Sequence, residues 1–222
     1  MTETSSVDHL VVVAASLEQG VAWCEAKLGV GPGPGGKHPL MGTHNRLMRI
    51  ATGAYPRAYL EIISIDPAAP APTHRRWFDM DDALLQQAVQ GEPRLVHFVA
   101  STTAAAAMMK ALALLGIDRG PLLHAERGNL RWQMTIRPDG QRLFYGALPT
   151  LIQWDSPHPA DTMDGAGLAL QSIAIRHPRP DDLRAAHAAI GLQGVTVEAG
   201  PPNLAATLRT PKGIVTIESA GA

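Results

Sequence analysis

Four short apolar runs in this chain each carry one polar side chain able to do chemistry: His9 in 7–13, Glu61 in 58–65, His97 in 94–100 and Gln153 in 143–154. An imidazole or a carboxylate can carry a proton or ligate a metal, whereas a neutral amide can coordinate but takes no proton at pH 7. In an extended run alternate residues share a face, so Val7, His9 and Val11 form one set. Tyr59 with Glu61, Leu95 with His97, and Leu151 with Gln153 form its counterparts, while Leu10, Leu60, Ile62, Phe98 and Ile152 would pack beneath helices. A buried polar group without a partner is costly, so each of the four needs a cavity, a metal or water. The plainer alternative makes them core residues, with Glu61 hydrogen-bonded to a histidine. Cys24 is a candidate nucleophile, but it lies on the apolar stripe Leu17, Val21, Cys24, Leu28 of a helix, where a free thiol behaves as a small hydrophobe.

The elements that must position these residues recur. The run 7–13 is short and β-branched and reads as a buried strand; Ser16 caps a helix over 17–28 that Gly29 ends. Strand-like runs 44–50 and 58–65 follow. The order returns with a strand over 94–100, a helix capped by Thr102 or Thr103 and stopped by Gly116, and extended segments at 122–126, 130–137 and 143–154. Pro138-Asp139-Gly140 signals a hairpin. A shorter third copy has a strand over 168–175, a helix begun by Asp181 or Asp182, and strands at 195–198, 204–209 and 214–218. The expected organisation is α+β: βαβββ modules at 7–66 and 94–156, a linker with a short helix at 67–93, and a third module at 168–219. Repetition of one order carries more weight than any single propensity.

The composition narrows the function classes. The chain has 222 residues, 45% hydrophobic and 18% charged, with a formal charge of −1. No Lys/Arg run could hold a phosphate backbone, so nucleic acid is not an expected partner. No apolar stretch reaches the roughly 18–20 residues that span a bilayer. One cysteine fits a reducing compartment, and with no apolar region ahead of residue 7 the expected location is the cytoplasm.

Three stretches resemble a known family: Val-Asp-His-Leu-Val-Val at 7–12, Gly-Gly-Lys-His-Pro-Leu-Met-Gly-Thr-His-Asn-Arg at 35–46, and Leu-Pro-Thr-Leu-Ile-Gln-Trp-Asp at 148–155. With Tyr-Leu-Glu at 59–61 they are similar to the glyoxalase-like domains of the vicinal oxygen chelate superfamily, over about residues 7–158. The resemblance implies two modules curving a sheet around a cavity. It also implies that a divalent metal, where present, is held by a residue of the first and last strand of each module. Those positions are His9, Glu61, His97 and Gln153; the donor set suits Zn, Ni, Mn or Fe, and no organic cofactor is implied. Gln153 departs from the carboxylate that many relatives carry there, which leaves Glu61 as the candidate catalytic base. His38, Thr43, Asn45 and Arg46 belong to the signature and either line the cavity or lock a loop, with Arg46 on the surface. Trp132 either walls the pocket or fills the core. His44, His74, His124, His158, His177 and His187 have no spacing that argues for chemistry and are expected to be solvated.

Two functions from different classes follow. One is a metal-dependent lyase, isomerase or dioxygenase acting on a small oxygen-rich molecule. The other is a metal-free protein that sequesters a small molecule. In the third module Ser172 and Glu218 stand at the corresponding positions, so that module is expected to support or assemble the protein, with a homodimer as one means of covering its apolar face.

Overall fold

The computed structural model describes residues 3–221. Strand β1 (Ser6–Val13) leads into helix α1 (Leu17–Leu28). Ser16 accepts the Gln19 N–H as N-cap, and Gly29 closes the helix at φ 82, the left-handed region that glycine enters without a Cβ penalty. Strands β2 (Lys37–His38), β3 (Thr43–Arg49) and β4 (Tyr59–Ile65) complete the first unit. Residues 66–93 hold a 3₁₀ turn at Trp77–Asp79 and helix α2 (Ala83–Gly91), capped by Asp82, so the expected single helix is split in two. The second unit is β5 (Arg94–Ser101), α3 (Ala105–Leu114), β6 (Leu122–Arg127), β7 (Leu130–Thr135) and β8 (Thr150–Trp154). The run 143–154, read as one extended segment, opens instead with a 3₁₀ turn at Leu143–Gly146. Strands β7 and β8 pair antiparallel, but a long loop joins them rather than the hairpin expected at Pro138-Asp139-Gly140.

These strands form one eight-stranded sheet, ordered β2-β3-β4-β1-β5-β8-β7-β6. β1 and β5 meet antiparallel at its centre, and each is parallel to the last strand of its own unit. Outward from that seam both halves read first, last, third and second strand. This is the paired α+β architecture of the vicinal oxygen chelate fold.

The third unit comprises β9 (Ala169–His177), α4 (Pro180–Ala189), β10 (Val195–Ala199), β11 (Asn203–Thr210) and β12 (Gly213–Glu218). Its element order matches the other two, but its sheet runs β10-β9-β11-β12. Here the first strand pairs with the strand after the helix and not with the last, so order repeats while wiring does not. Its apolar face is covered within the chain: Leu170, Ile173, Leu183, Leu204 and Leu208 share a core with Leu10, Cys24, Leu60, Phe98, Leu112 and Leu151. That burial removes the reason for expecting a second copy to cover it. Each such side chain contributes roughly 1.5–3 kcal/mol. The opposite face of the large sheet carries a separate cluster of Val11, Ile63, Val99, Trp132, Met134 and Ile152, closed by Trp77 and Phe78. Among the described residues no helix is long and apolar enough to cross a membrane.

Candidate functional site

The site grows from an irregularity in β1. Val7 pairs with Ala100 and His9 with Val99, so Asp8 is an extra residue in the ladder, a β-bulge. Its fully buried carboxylate accepts three hydrogen bonds: from His9 Nδ1 on Oδ1 at 2.7 Å, and from Trp154 Nε1 and His158 Nε2 on Oδ2, both at 2.9 Å. Burial by itself would raise the Asp8 pKa, but the hydrogen bonds from His158 and His9 outweigh it and hold the group well below the usual carboxylate range. His9 stacks on Tyr59 with ring centroids 4.6 Å apart.

Glu61, on β4 beside β1, faces this histidine, with Oε2 3.7 Å from His9 Nε2. On the adjoining β3, Leu47 is the partner of Glu61, which places Asn45 on the diagonal; its Nδ2 donates to Glu61 Oε1 at 2.6 Å. His38 Nδ1 bonds Thr43 Oγ1 at 3.0 Å, while its Nε2 faces Asn45 Nδ2 at 3.3 Å and Arg127 Nη1 at 3.5 Å. A ring flanked by two donors at Nε2 is neutral, and burial accordingly pushes the His38 pKa down to about 4, with Glu61 opposing and Arg127 reinforcing the shift.

His9, His38, Asn45, Glu61 and Arg127 line a narrow cavity of ≈ 40 Å³ whose other walls are the aromatic rings of Tyr59, Trp77, Phe78, Trp132 and Trp154 with Leu47, Met134 and Ile152. Trp132 is therefore both packed and exposed to the cavity. The backbone that brings Trp77 and Phe78 into place is strained: Phe78 and Asp79 have φ of 59 and 56, as do Phe144 and Tyr145 at 53 and 54. A salt bridge from Arg142 Nε to Asp79 Oδ2, 2.9 Å long, ties the two turns together. Wider clefts lie elsewhere, one of ≈ 550 Å³ between the residues after α3 and helix α4 and one of ≈ 510 Å³ along α3, but neither contains the acid–base cluster.

Two of the expected metal positions lie elsewhere. His97 follows a second register shift, between the Val11–His97 and Val12–Leu95 pairs, and is fully buried. Its Nδ1 donates to Gly146 O at 2.9 Å, and its Nε2 accepts from Thr150 N at 3.1 Å with Thr150 Oγ1 at 3.0 Å. Burial, reinforced by nearby Arg119, holds its pKa well below the ordinary histidine value. On β8 the alternation is one residue out of step with expectation: Ile152 and Trp154 line the cavity, while Leu151 packs in the core beneath the helices. Gln153 turns the same way as Leu151, accepting the Ala105 N–H at the start of α3 at 3.4 Å. The four-residue ring of His9, Glu61, His97 and Gln153 thus does not assemble around one cavity. Among the described residues no three His, Cys, Asp or Glu side chains are grouped to hold a metal. The donors present do not fit a Zn, Ni, Mn or Fe centre: His97 has spent both ring nitrogens and Gln153 faces the helices.

Of the signature residues, His38, Thr43 and Asn45 are buried at the site, whereas Arg46 is exposed on the other side of β3. Asp8, Arg127, Trp154 and His158 belong to the site and were not singled out from the sequence. Asp8 carried a usable signal, a carboxylate inside an apolar run. His158, His177 and His187, expected in solvent, are buried, whereas His74 and His124 are exposed. Cys24 is fully buried, and burial pushes its thiol up to about 12, so it is no nucleophile.

Comparison with solved structures gives a hypothetical protein from Staphylococcus aureus, aligned over 96% of this chain and 85% of that one with a TM-score of 0.58 at 13% identity. Methylmalonyl-CoA epimerase from Mycobacterium tuberculosis aligns over 67% of this chain and 85% of its own, with a TM-score of 0.42 at 13% identity. A hypothetical protein from Bacillus halodurans covers 68% and 93%, with a TM-score of 0.41 at 11% identity. At 13% identity the first of these is a likeness of fold. No curated protein matches the chain. The glyoxalase-like domain model matches residues 7–191, from the bulged first strand through α4, and the chain belongs to that family.

Proposed function

We propose that this protein takes a small, flat, oxygen-bearing molecule into the aromatic-walled cavity and that Glu61 acts there as a general base, with no metal required. The observation that carries the reading is the state of the Glu61 carboxylate. One oxygen is fixed by Asn45, and the other faces His9 at 3.7 Å, beyond hydrogen-bond distance, in a cavity walled largely by aromatic rings. A carboxylate oriented from behind with one oxygen open is arranged to accept a proton from a bound molecule. Arg127, beside His38 and Asn45, supplies a cation on the same side to steady negative charge that develops on the ligand. Trp77, whose ring is part of the cavity wall, has its Nε1 buried without a partner.

A second reading is sequestration without reaction, favoured by the five aromatic side chains Tyr59, Trp77, Phe78, Trp132 and Trp154 around so small a space. One experiment separates the two. Protein purified without an affinity tag and treated with chelator is screened against small carbonyl and carboxylate compounds by tryptophan fluorescence, and each binder is then followed for exchange of its carbon-bound protons with deuterium from solvent. The base reading expects exchange that falls by roughly 10²–10⁴-fold in Glu61→Gln while binding persists. Binding with no exchange in the unmodified protein supports sequestration. Exchange that vanishes on chelation and returns with added metal overturns the metal-independent reading.

A further inference from the structure

We infer that Arg119 marks a second binding site, for a small planar anion of carboxylate size, separate from the Glu61 cavity. Arg119 lies in the loop between α3 and β6 and is only 4% exposed. Among the described residues no carboxylate comes within salt-bridge distance of it, although Arg76, Arg137, Arg142, Arg179 and Arg184 all have one. Its Nη2 donates to Thr150 Oγ1 at 2.9 Å, and its Nε is buried with no partner at all. A buried guanidinium without a counter-charge is expensive, and natural proteins pair such groups.

The surroundings offer no internal anion. The chamber that Arg119 lines also contains His97, Thr150, Gln141, Arg137 and Arg142. His97 is a neutral ring whose nitrogens are both engaged, and the other two cations, Arg137 and Arg142, are each paired with a carboxylate of their own, Asp139 and Asp79. Burial, with Arg137 adding to it, lowers the Arg119 pKa to about 10, which leaves it charged near neutrality. The loop backbone next to Arg119 packs closely on the strand side: Gly120 sits at φ 73, and a Cβ there would meet Ile136 O at 2.5 Å. The free volume beside it, ≈ 10 Å³, takes one carboxylate oxygen, about the size of a water, and Arg119 also lines the open cleft along α3, where the rest of the anion would lie. A planar fork with an unpaired Nε matches a carboxylate better than a spherical ion. Trp77 and Phe78 form a wall common to this chamber and the Glu61 cavity, so the anion is either free or the carboxylate end of a longer molecule.

The test uses the full chain in a sodium formate series, with melting temperature read beside the same series on Arg119→Met, which replaces the buried charge by an apolar side chain of similar length. General salt effects are common to both proteins. The expected result is a saturable rise of several degrees in the unmodified protein and no saturable component in the variant. Equal responses in the two, or none in the unmodified protein, overturn the site. Where the variant does not fold, crystals of the unmodified protein grown with formate decide instead: difference density for a planar three-atom group at the Arg119 Nε supports the site, and its absence overturns it. Repeating the series with acetate, propionate and butyrate identifies the source. Affinity that rises with chain length marks the carboxylate of a longer ligand, and a flat series marks a free ion.

Discussion

His9 Nδ1 donates to Asp8 Oδ1 over 2.7 Å, which leaves Nε2 as the free end of the ring, 3.7 Å from Glu61 Oε2. Asp8 therefore orients the histidine from behind, as Asn45 orients Glu61, and it does so while holding His158 and Trp154 with its second oxygen. Removing a buried charge that serves three donors strands all of them. Asp8→Ala is expected to destabilise the protein by about 3–5 kcal/mol, and Asp8→Asn, which keeps an acceptor oxygen, by less. Chemical denaturation of the two variants measures the difference; an Ala variant as stable as the parent shows that the network carries no weight.

Acid should weaken the fold in two steps. His38 has its pKa lowered by burial to about 4, so between about pH 6.5 and 4 the unfolded chain binds a proton that the folded chain refuses, and stability falls as pH falls through that window. A shift of this size corresponds to roughly 3 kcal/mol by pH 4. His97 and His187 are shifted in the same direction and add to the slope. Asp8 acts below that range. Its folded pKa is depressed, so its contribution is full above about pH 4 and is lost as pH falls further. Unfolding free energies measured from pH 7 to 3 should drop from near pH 6.5 downward. A His38→Gln variant should flatten the upper part of the curve, and an unchanged curve would show that His38 is not held neutral.

His97→Ala is expected to act on stability rather than on a metal. It leaves Gly146 O and the Thr150 N–H without their partner and opens space beneath Phe78, for a loss of roughly 1–3 kcal/mol per stranded group. Denaturant midpoints together with metal analysis of parent and variant check this. A parent that carries stoichiometric metal, lost in a variant of unchanged stability, would restore the ligand role.

A chain ended before Gly167 should fail to fold. Leu170, Ile173, Leu183, Leu204 and Leu208 pack directly with Leu10, Leu60 and Phe98, so truncation exposes the core beneath α1 and α3. Circular dichroism and sedimentation of the shortened protein provide the measurement. A soluble, cooperatively melting product would show that the third unit is dispensable.

The elements were legible in the sequence because their signals are local. Ser16 and Gly29 bound α1 at residues 17–28 as read, and the strands read at 7–13, 94–100 and 195–198 fall where β-branched and apolar runs place them, to within a residue or two. The repeated order of strand, helix and three strands was legible as well, and with it the fold. His9 and Glu61 were expected to share a cavity, whereas the sequence left His38 and Asn45 between lining it and locking a loop; strands β1 to β4 bring all four to one cavity. What only the tertiary structure decided is register and wiring. The bulge at Asp8 and the shift beside His97 insert residues into the ladder, and β8 begins only at Thr150, after a 3₁₀ turn at Leu143–Gly146, with Ile152 and not Gln153 facing the cavity. The third unit repeats the order yet pairs its strands differently, because its sheet must cover the helix side of the larger one. Side-chain alternation has a period of two, and one extra residue reverses every face that follows; pairing partners far apart in the chain, not the local sequence, fix where that residue falls.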